Sequence, residues 1–399
     1  MTRQRARQRA AQRRALRRGV GVAAVASALV VGTALPAAAG ATGGTGATGA
    51  TGVTAVTGGS GHGGTRTAMD TAVRTEGLPG MVATARSGKD SWTTAIGTAD
   101  TATGQPRSAR ERFRIGSVTK MFVATVLLQL QAEGRLDLDD TVDRWLPGVV
   151  SGNGNDGSAI TVRQLLNHTS GLFAYDDDPG MAAVLFTPQF LSRRYDTWTP
   201  EQLVRIAVSH PPVFAPGAKR EYSNTNYILA GMIVAEVTGH PYGTEIERRI
   251  LRPLGLSGTS VPGTASAVPR PHARGYSKLF GGSPTPLDTT ELNPSTAGAA
   301  GEIISTTDDL TRFLSALMRG RLLPQAELDE MLTTEGPGGL GIGGGTLSCG
   351  VAVWGHDGGI HGSSTLALAT RDGRHSVAFN TNADWFTGKL KLAEAEFCG

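Results

Sequence analysis

Residues 112–122, RFRIGSVTKMF, set one serine and one lysine three positions apart, where a short apolar strand signal gives way to a long apolar helical one. Residues i and i+3 of a helix share a face about one turn apart, so Ser117 and Lys120 are expected side by side. A hydroxyl nucleophile then has an amine as its neighbour. The start of a helix adds unpaired N–H groups and the positive end of the peptide dipoles, a ready place for a developing oxyanion. Taken alone, S-x-x-K is a common pattern, and an N-cap serine with a surface lysine fits the same four residues.

Upstream, MVATAR (81–86) and WTTAIG (92–97) read as two antiparallel strands around the turn-forming SGKDS, and FRI (113–115) as a short third. SVTKMFVATVLLQLQAE then has the length and three-to-four spacing of a helix buried on most of its surface. Helical patterns dominate about 160–289, in TVRQLLNH, TPEQLVRIAVSH and TNYILAGMIVAEVTG, with turn-rich stretches between them. TTDDLTRFLSALMRG follows, with Thr306 or Thr307 as N-cap. Beyond residue 341 strands return: VAVWG (351–355), then STLALAT (364–370) and SVAFNTN (376–382) joined through Asp372-Gly373, before KLKLAEAEF closes as a helix. This order predicts an α+β fold. An antiparallel sheet is made from both ends of the domain and covered by helices on both faces, with an all-helical inserted subdomain at about 160–289.

Residues 1–39 open with Arg3, Arg5, Arg7, Arg9, Arg13, Arg14, Arg17 and Arg18, continue through a short run rich in Ala, Val and Leu, and end in Pro36-Ala37-Ala38-Ala39. A basic head, an apolar middle and a small-residue end describe a secretory signal peptide, so the protein is expected to be secreted; Arg13-Arg14 leaves a twin-arginine route open. Removing those eight charges takes the formal net charge from +4 to −4, which argues against nucleic acid as a partner. Residues 40–66, nearly all Gly, Thr, Ala and Ser around His62, read as a flexible linker, leaving 67–399 as the globular domain. Two cysteines only, Cys349 and Cys398, form an even pair that an oxidising compartment would join in a disulfide.

Two further elements bear on chemistry. Tyr222-Ser223-Asn224 precedes another apolar helix, where a tyrosine and an asparagine on either side of one residue can face the same cleft. His356-Asp357-Gly358-Gly359 follows the strand signal VAVWG, and glycines at a strand end let a substrate backbone approach closely. Each is weak in isolation; H-x-G recurs at His62 by accident.

In this order S-x-x-K, Y-x-N and H-x-G resemble the serine penicillin-recognising hydrolases, which include DD-peptidases, class C β-lactamases, esterases and D-aminopeptidases. FRIGSVTK, LNHTSGL (166–172), YSNTNYILAGM, RPLGLSGT and LSCG (347–350) extend the likeness to about 68–399, nearest to an exported D-alanyl-D-alanine carboxypeptidase. The resemblance implies that Ser117 is acylated and that Lys120 and Tyr222 move its proton, one of them as base. Asn224 then binds the substrate amide, and His356 relays a proton or steers charge. Gly358, Gly359 and Asp357 border the substrate, with an oxyanion hole from the N–H groups of Ser117 and Gly359. It implies no metal or organic cofactor, and a monomer acting on peptidoglycan stem peptides or small D-amino-acid peptides and esters, with β-lactams as further ligands.

Two departures bear on the substrate. Relatives hold its terminal carboxylate with an arginine shortly before the LSCG cysteine and hydroxyls in H-T-G-T, whereas this chain has Gly343, Gly344 and Gly345 and H-D-G-G. Asp357 adds a negative charge, and two like charges about 4 Å apart at an effective dielectric near 20 repel by about 4 kcal/mol. A substrate without a free C-terminal carboxylate, or with an amino group, is therefore expected unless Asp357 points away or a cation such as Lys219 or Arg270 fills in. No H-E-x-x-H or G-x-S-x-G occurs, which disfavours a metallohydrolase and an α/β-hydrolase. A D-aminopeptidase, an esterase, a β-lactamase and a non-catalytic penicillin- or wall-binding protein are the alternatives.

Overall fold

The computed structural model describes residues 61–333 and 338–399. The expected signal peptide and residues 40–60 of the expected linker lie outside the described residues. The elements that frame the site are, in chain order, α1 (Gly63–Glu76), β1 (Gly80–Ser87), β2 (Asp90–Asp100), β3 (Gln105–Pro106), α2 (Thr119–Ala132), α3 (Asn224–Thr238), α4 (Thr307–Met318), β4 (Gly343–Thr346), β5 (Ala352–Ile360), β6 (Ser363–Thr370), β7 (His375–Thr381) and α5 (Lys389–Phe397).

The seven strands form one antiparallel sheet in the order β4-β5-β6-β7-β1-β2-β3, so strands from the two ends of the domain meet at β1 and β7, with Met81 opposite Thr381. Period-two alternation gives it two apolar faces. Met81, Ala83, Leu366 and Phe379 face α1 and α5, where Met69, Ala72, Leu392 and Ala393 cover them. Val82, Ala367 and Ala378 belong to the other face. There α4 lies on the sheet, Thr84 Oγ1 2.7 Å from Thr307 Oγ1, and α2 packs beyond it through the stacked rings of Phe122 and Phe313, 3.9 Å apart. Eleven of the fourteen residues of α2 are buried, so its first turn, with Lys120, enters the interior.

Several expectations are corrected. The linker does not run to residue 66: α1 begins at Gly63, Thr65 is buried and donates to Glu396 Oε2 at 2.8 Å, and the His62 ring stacks on Trp92 at 4.7 Å. A Gly/Thr-rich stretch shows no apolar face, and its partners sit on α5 at the far end of the chain. Phe113–Arg114 pairs with Ile304–Ser305 rather than joining the sheet. The inserted region is not all-helical. Helices occupy Val142–Trp145 through Arg252–Leu254, after which residues 255–303 are largely irregular, with a ribbon of Tyr276–Ser277 against Leu287–Asp288. Pro262, Pro269 and Pro271 break that stretch, since proline neither donates to a ladder nor continues a helix. Thr306, not Thr307, caps α4, its hydroxyl accepting from Asp309 N.

Cys349 and Cys398 are disulfide-bonded, tying the end of α5 to the loop before β5 across 49 residues. Replacing both by serine is expected to lower the unfolding free energy by about 2–4 kcal/mol through a freer unfolded chain, measured by denaturant titration against wild type.

Candidate active site

Ser117 sits in a single 3₁₀ turn, Gly116–Val118, that feeds α2. Close approach of β5 to this turn explains its glycines. A Cβ on Gly358 would lie 2.0 Å from the Ile115 carbonyl oxygen and 2.9 Å from Ser117 N. One on Gly116, whose φ is +54°, would lie 2.7 Å from the Gly359 carbonyl oxygen and 2.8 Å from its nitrogen. The backbone of 358–359 therefore runs directly against the serine turn. Residues 356–359 belong to β5 itself rather than following it as expected, because the ladder with β6 continues from Val353 opposite Thr370 to Ile360 opposite Ser363.

Tyr222 and Asn224 flank Ser223, which is extended (φ −141°, ψ 123°) at the N-cap of α3. In an extended backbone alternate side chains share a side, so both reach the same cleft. Tyr222 OH donates to Ser117 Oγ at 2.7 Å. Lys120 Nζ lies 3.1 Å from Ser117 Oγ, 2.9 Å from Asn224 Oδ1 and 2.7 Å from the Ala300 carbonyl oxygen. Asn224 Nδ2 donates to Asp176 Oδ2 at 2.9 Å, which orients the amide with its oxygen toward Lys120.

Lys120 is 0% exposed, and burial pushes its pKa from the ordinary lysine value down to about 7, against the opposing pull of Asp176 and Asp357. Burial moves Tyr222 the other way, raising it above the ordinary phenol value, and the charges of Asp357 and Asp176 add to that. At neutral pH the pair is an amine near half-protonation beside a phenol that keeps its proton. A neutral amine has two hydrogens and one lone pair; Asn224 and Ala300 accept the hydrogens, leaving the lone pair for the Ser117 hydroxyl.

The five expected groups converge, with one change of character. Burial pushes His356 down to about 4, so it is a neutral imidazole at pH 7, its Nδ1 hydrogen-bonded to the Asp357 carbonyl; steering charge as an imidazolium is excluded for it. Asp357, expected to border the substrate, stands opposite Leu366 on the sheet face toward α5, while His356 stands opposite Ala367 on the other face; Lys219 and Arg270 are both exposed. The partner of Asp357 is Lys389, the first residue of α5, with Nζ 2.6 Å from Asp357 Oδ2. The glycines standing where relatives carry a cation form edge strand β4, Gly343 opposite Gly355, and a Cβ on Gly344 would lie 2.9 Å from the Trp354 indole nitrogen.

Three residues of the site were missed from sequence. Asp176 carries the Asn224 amide and lies in AYDDDPG, where an acidic run in a turn was a readable signal. His168, buried and held neutral by that burial, packs against the Tyr222 ring at 4.3 Å and accepts from Ser223 N. Lys389 left no sequence signal. Among the described residues the one group spaced for a metal is Cys349, Glu394 and Cys398, whose sulfurs are already bonded to each other.

The Beta-lactamase family model matches residues 65–393. The chain belongs to the Beta-lactamase family. Among solved structures it is similar to a D-stereospecific amidohydrolase from Streptomyces sp., with 56% identity, a TM-score of 0.81, and 85% of this chain and 99% of that one covered. It is also similar to a D-amino acid amidase from Ochrobactrum anthropi SV3, at 30% identity, a TM-score of 0.71, and 83% and 97% coverage. Among curated proteins, Esterase EstB of Burkholderia gladioli is 36% identical over 225 residues, 55% of this chain and 54% of that protein. The chain spans about half the length of the first curated relatives it matches. It has the fold of the β-lactamase and penicillin-binding-protein family of serine hydrolases.

Gly358→Ala is expected to wedge β5 off the Ser117 turn. A displacement of about 1 Å costs on the order of 10²-fold in rate, so kcat/KM should fall by about that factor while circular dichroism stays unchanged.

Proposed function

We propose that this protein is an exported D-stereospecific amidohydrolase that cleaves amides, esters or peptides of D-amino acids through an acyl-enzyme on Ser117. The observation that carries the reading is Ser117 Oγ lying between Tyr222 OH at 2.7 Å and Lys120 Nζ at 3.1 Å. Its amide preference is supported by 56% identity to the Streptomyces D-stereospecific amidohydrolase.

Neutral Lys120 takes the Ser117 proton as Oγ attacks the substrate carbonyl. The N–H groups of Ser117 and Gly359 receive the oxyanion. Tyr222, kept protonated, gives its proton to the leaving nitrogen and is reprotonated from Lys120. Water then enters by the same route in reverse and releases the acid. Asn224 aligns the substrate amide, and neutral His356 accepts or donates a hydrogen bond without adding charge. All five side chains come from one chain, so the enzyme is proposed to act as a monomer.

Acids surround the cleft. Asp176 is raised by burial, Asp177 is pushed to about 6 by burial beside Asp176 and Glu221, and Lys389 is engaged by Asp357. A free C-terminal carboxylate on the substrate meets the charges of Asp176 and Asp177, opposed by Arg220, whose charge reaches Tyr222, whereas an α-ammonium or a neutral amide meets no such repulsion. Stem peptides ending in a carboxylate, and penicillins, which bear one, are disfavoured for the same reason. Export belongs to the same proposal. It rests on the order of basic, apolar and small residues in 1–39 and on the Cys349–Cys398 bond, a pairing that persists in oxidising compartments.

Two measurements test this reading. D-phenylalanine amide is expected to be hydrolysed with higher kcat/KM than L-phenylalanine amide or a tripeptide ending in D-Ala-D-Ala, and Ser117→Ala to remove at least about 10³-fold of the rate. A tripeptide preferred over its own amide would return the assignment to a D-alanyl-D-alanine carboxypeptidase. Because the free amine of Lys120 is the active form and its pKa is near 7, kcat/KM is expected to rise with pH through about 7. Asp357 favours the ammonium form, so Asp357→Asn should move that limb to lower pH; a limb that stays in place removes Lys120 from the role of base.

A further inference from the structure

A cavity of about 1230 Å³ opens along α3. None of Ser117, Lys120, Tyr222, Asn224 or His356 lines it. One wall is an apolar face of α3, with Ile228, Met232 and Ala235 at helical spacing; Tyr242 and Val261 stand opposite, and residues 298–302 close the floor. Glu302 reaches the cavity from that floor although the residue is only 2% exposed. Its Oε1 accepts the Tyr242 hydroxyl, and Arg114 is the cation that feels it across the packing. Among the described residues Glu302 has no salt-bridge partner.

An apolar chamber with one buried carboxylate, lined also by Glu201, Glu236 and an Arg252 already paired with Glu247, has the charge and surface for one chemical class. We propose that this cavity is a second ligand site, separate from the catalytic centre, which takes an apolar primary ammonium ion with its body along α3 and its charge on Glu302. Burial pushes Glu302 up to about 7, opposed by the Tyr242 hydrogen bond, by the Gly263 backbone N–H and by Arg114. An arriving cation favours the carboxylate, so binding near neutral pH releases protons.

The floor of this site is also the back of the catalytic one. Ala299 lines the cavity, and the carbonyl of the next residue, Ala300, accepts from Lys120 Nζ at 2.7 Å. Gly231 of α3 has no room for a side chain because a Cβ there would lie 2.6 Å from the Ala299 Cβ. Helix and floor are thus packed without slack, and a ligand pressing on residues 299–302 acts on the acceptor that holds the base.

The probe is 2-phenylethylammonium chloride, which has no carbonyl to hydrolyse, titrated calorimetrically at pH 7 in buffers of different ionisation enthalpy. Wild type and Ser117→Ala are expected to bind it with proton release. Glu302→Gln should lose the proton release and at least tenfold in affinity. Ala235→Trp, which fills the cavity from α3, should lose binding while keeping measurable hydrolysis, and this variant carries the test if Glu302→Gln fails to fold. In wild type the bound probe should alter kcat at saturating substrate, an effect absent in Ala235→Trp. Binding that survives Ala235→Trp but disappears in Asp357→Asn would put the cation in the catalytic cleft and overturn the site, as would no heat up to millimolar probe. Binding without any change in kcat would overturn the coupling to Lys120.

Discussion

The structure depends on one buried amine. Lys120 is withdrawn from water in the first turn of α2, and an ammonium without partners there would cost several kcal/mol. Three oxygens from three separate parts of the chain meet it: Ser117 on the turn before α2, Asn224 at the start of α3, and the Ala300 carbonyl. Each is needed twice, to make the lysine tolerable inside the protein and to leave it weakly basic. The helix packing that brings α2, α3 and residues 298–302 together is therefore also what sets the chemistry of the serine.

Around that amine the other charges are arranged so that few face it unscreened. Asp176 is turned onto the Asn224 amide, and Asp357 onto Lys389. His356 and His168 are both held neutral by burial. The result is a cleft that keeps one proton in play between Lys120, Ser117 and Tyr222, with Arg220 the cation whose charge reaches Tyr222. Electrostatic preorganisation of this kind costs no rearrangement during reaction, which is where the larger part of such catalysis arises.

Backbone proximity is the second constraint. Gly116 and Gly358 let β5 lie against the serine turn at a distance no side chain would permit, and the same strand carries His356 and Asp357. The sheet thus supplies one wall of the site and the helices the other. The pairing of β1 with β7 inside the sheet and the disulfide from the end of α5 to the loop before β5 tie the two ends of the domain together.

Much of this was legible from the chain. Alternating apolar residues fixed the strands around 81–97 and 364–382, long apolar runs fixed α2 and α3, and the spacing Ser117-x-x-Lys120 with Tyr222-x-Asn224 and His356-x-Gly358 marked the cleft, because periodicity and short-range spacing are local properties. Beyond the cysteine pair and the cleft motifs, what the sequence did not carry was partners distant along the chain. The helical turn at Gly63 forms because Glu396 waits on α5, the pairing of Phe113 with Ser305 removes a strand from the sheet, and Lys389 reaches Asp357 across 32 positions. Protonation belongs to the same class. That Lys120 is a base near neutrality and His356 an uncharged ring follows from burial and from the charges that folding brings near, so residue types named the actors while only the tertiary structure decided their charge.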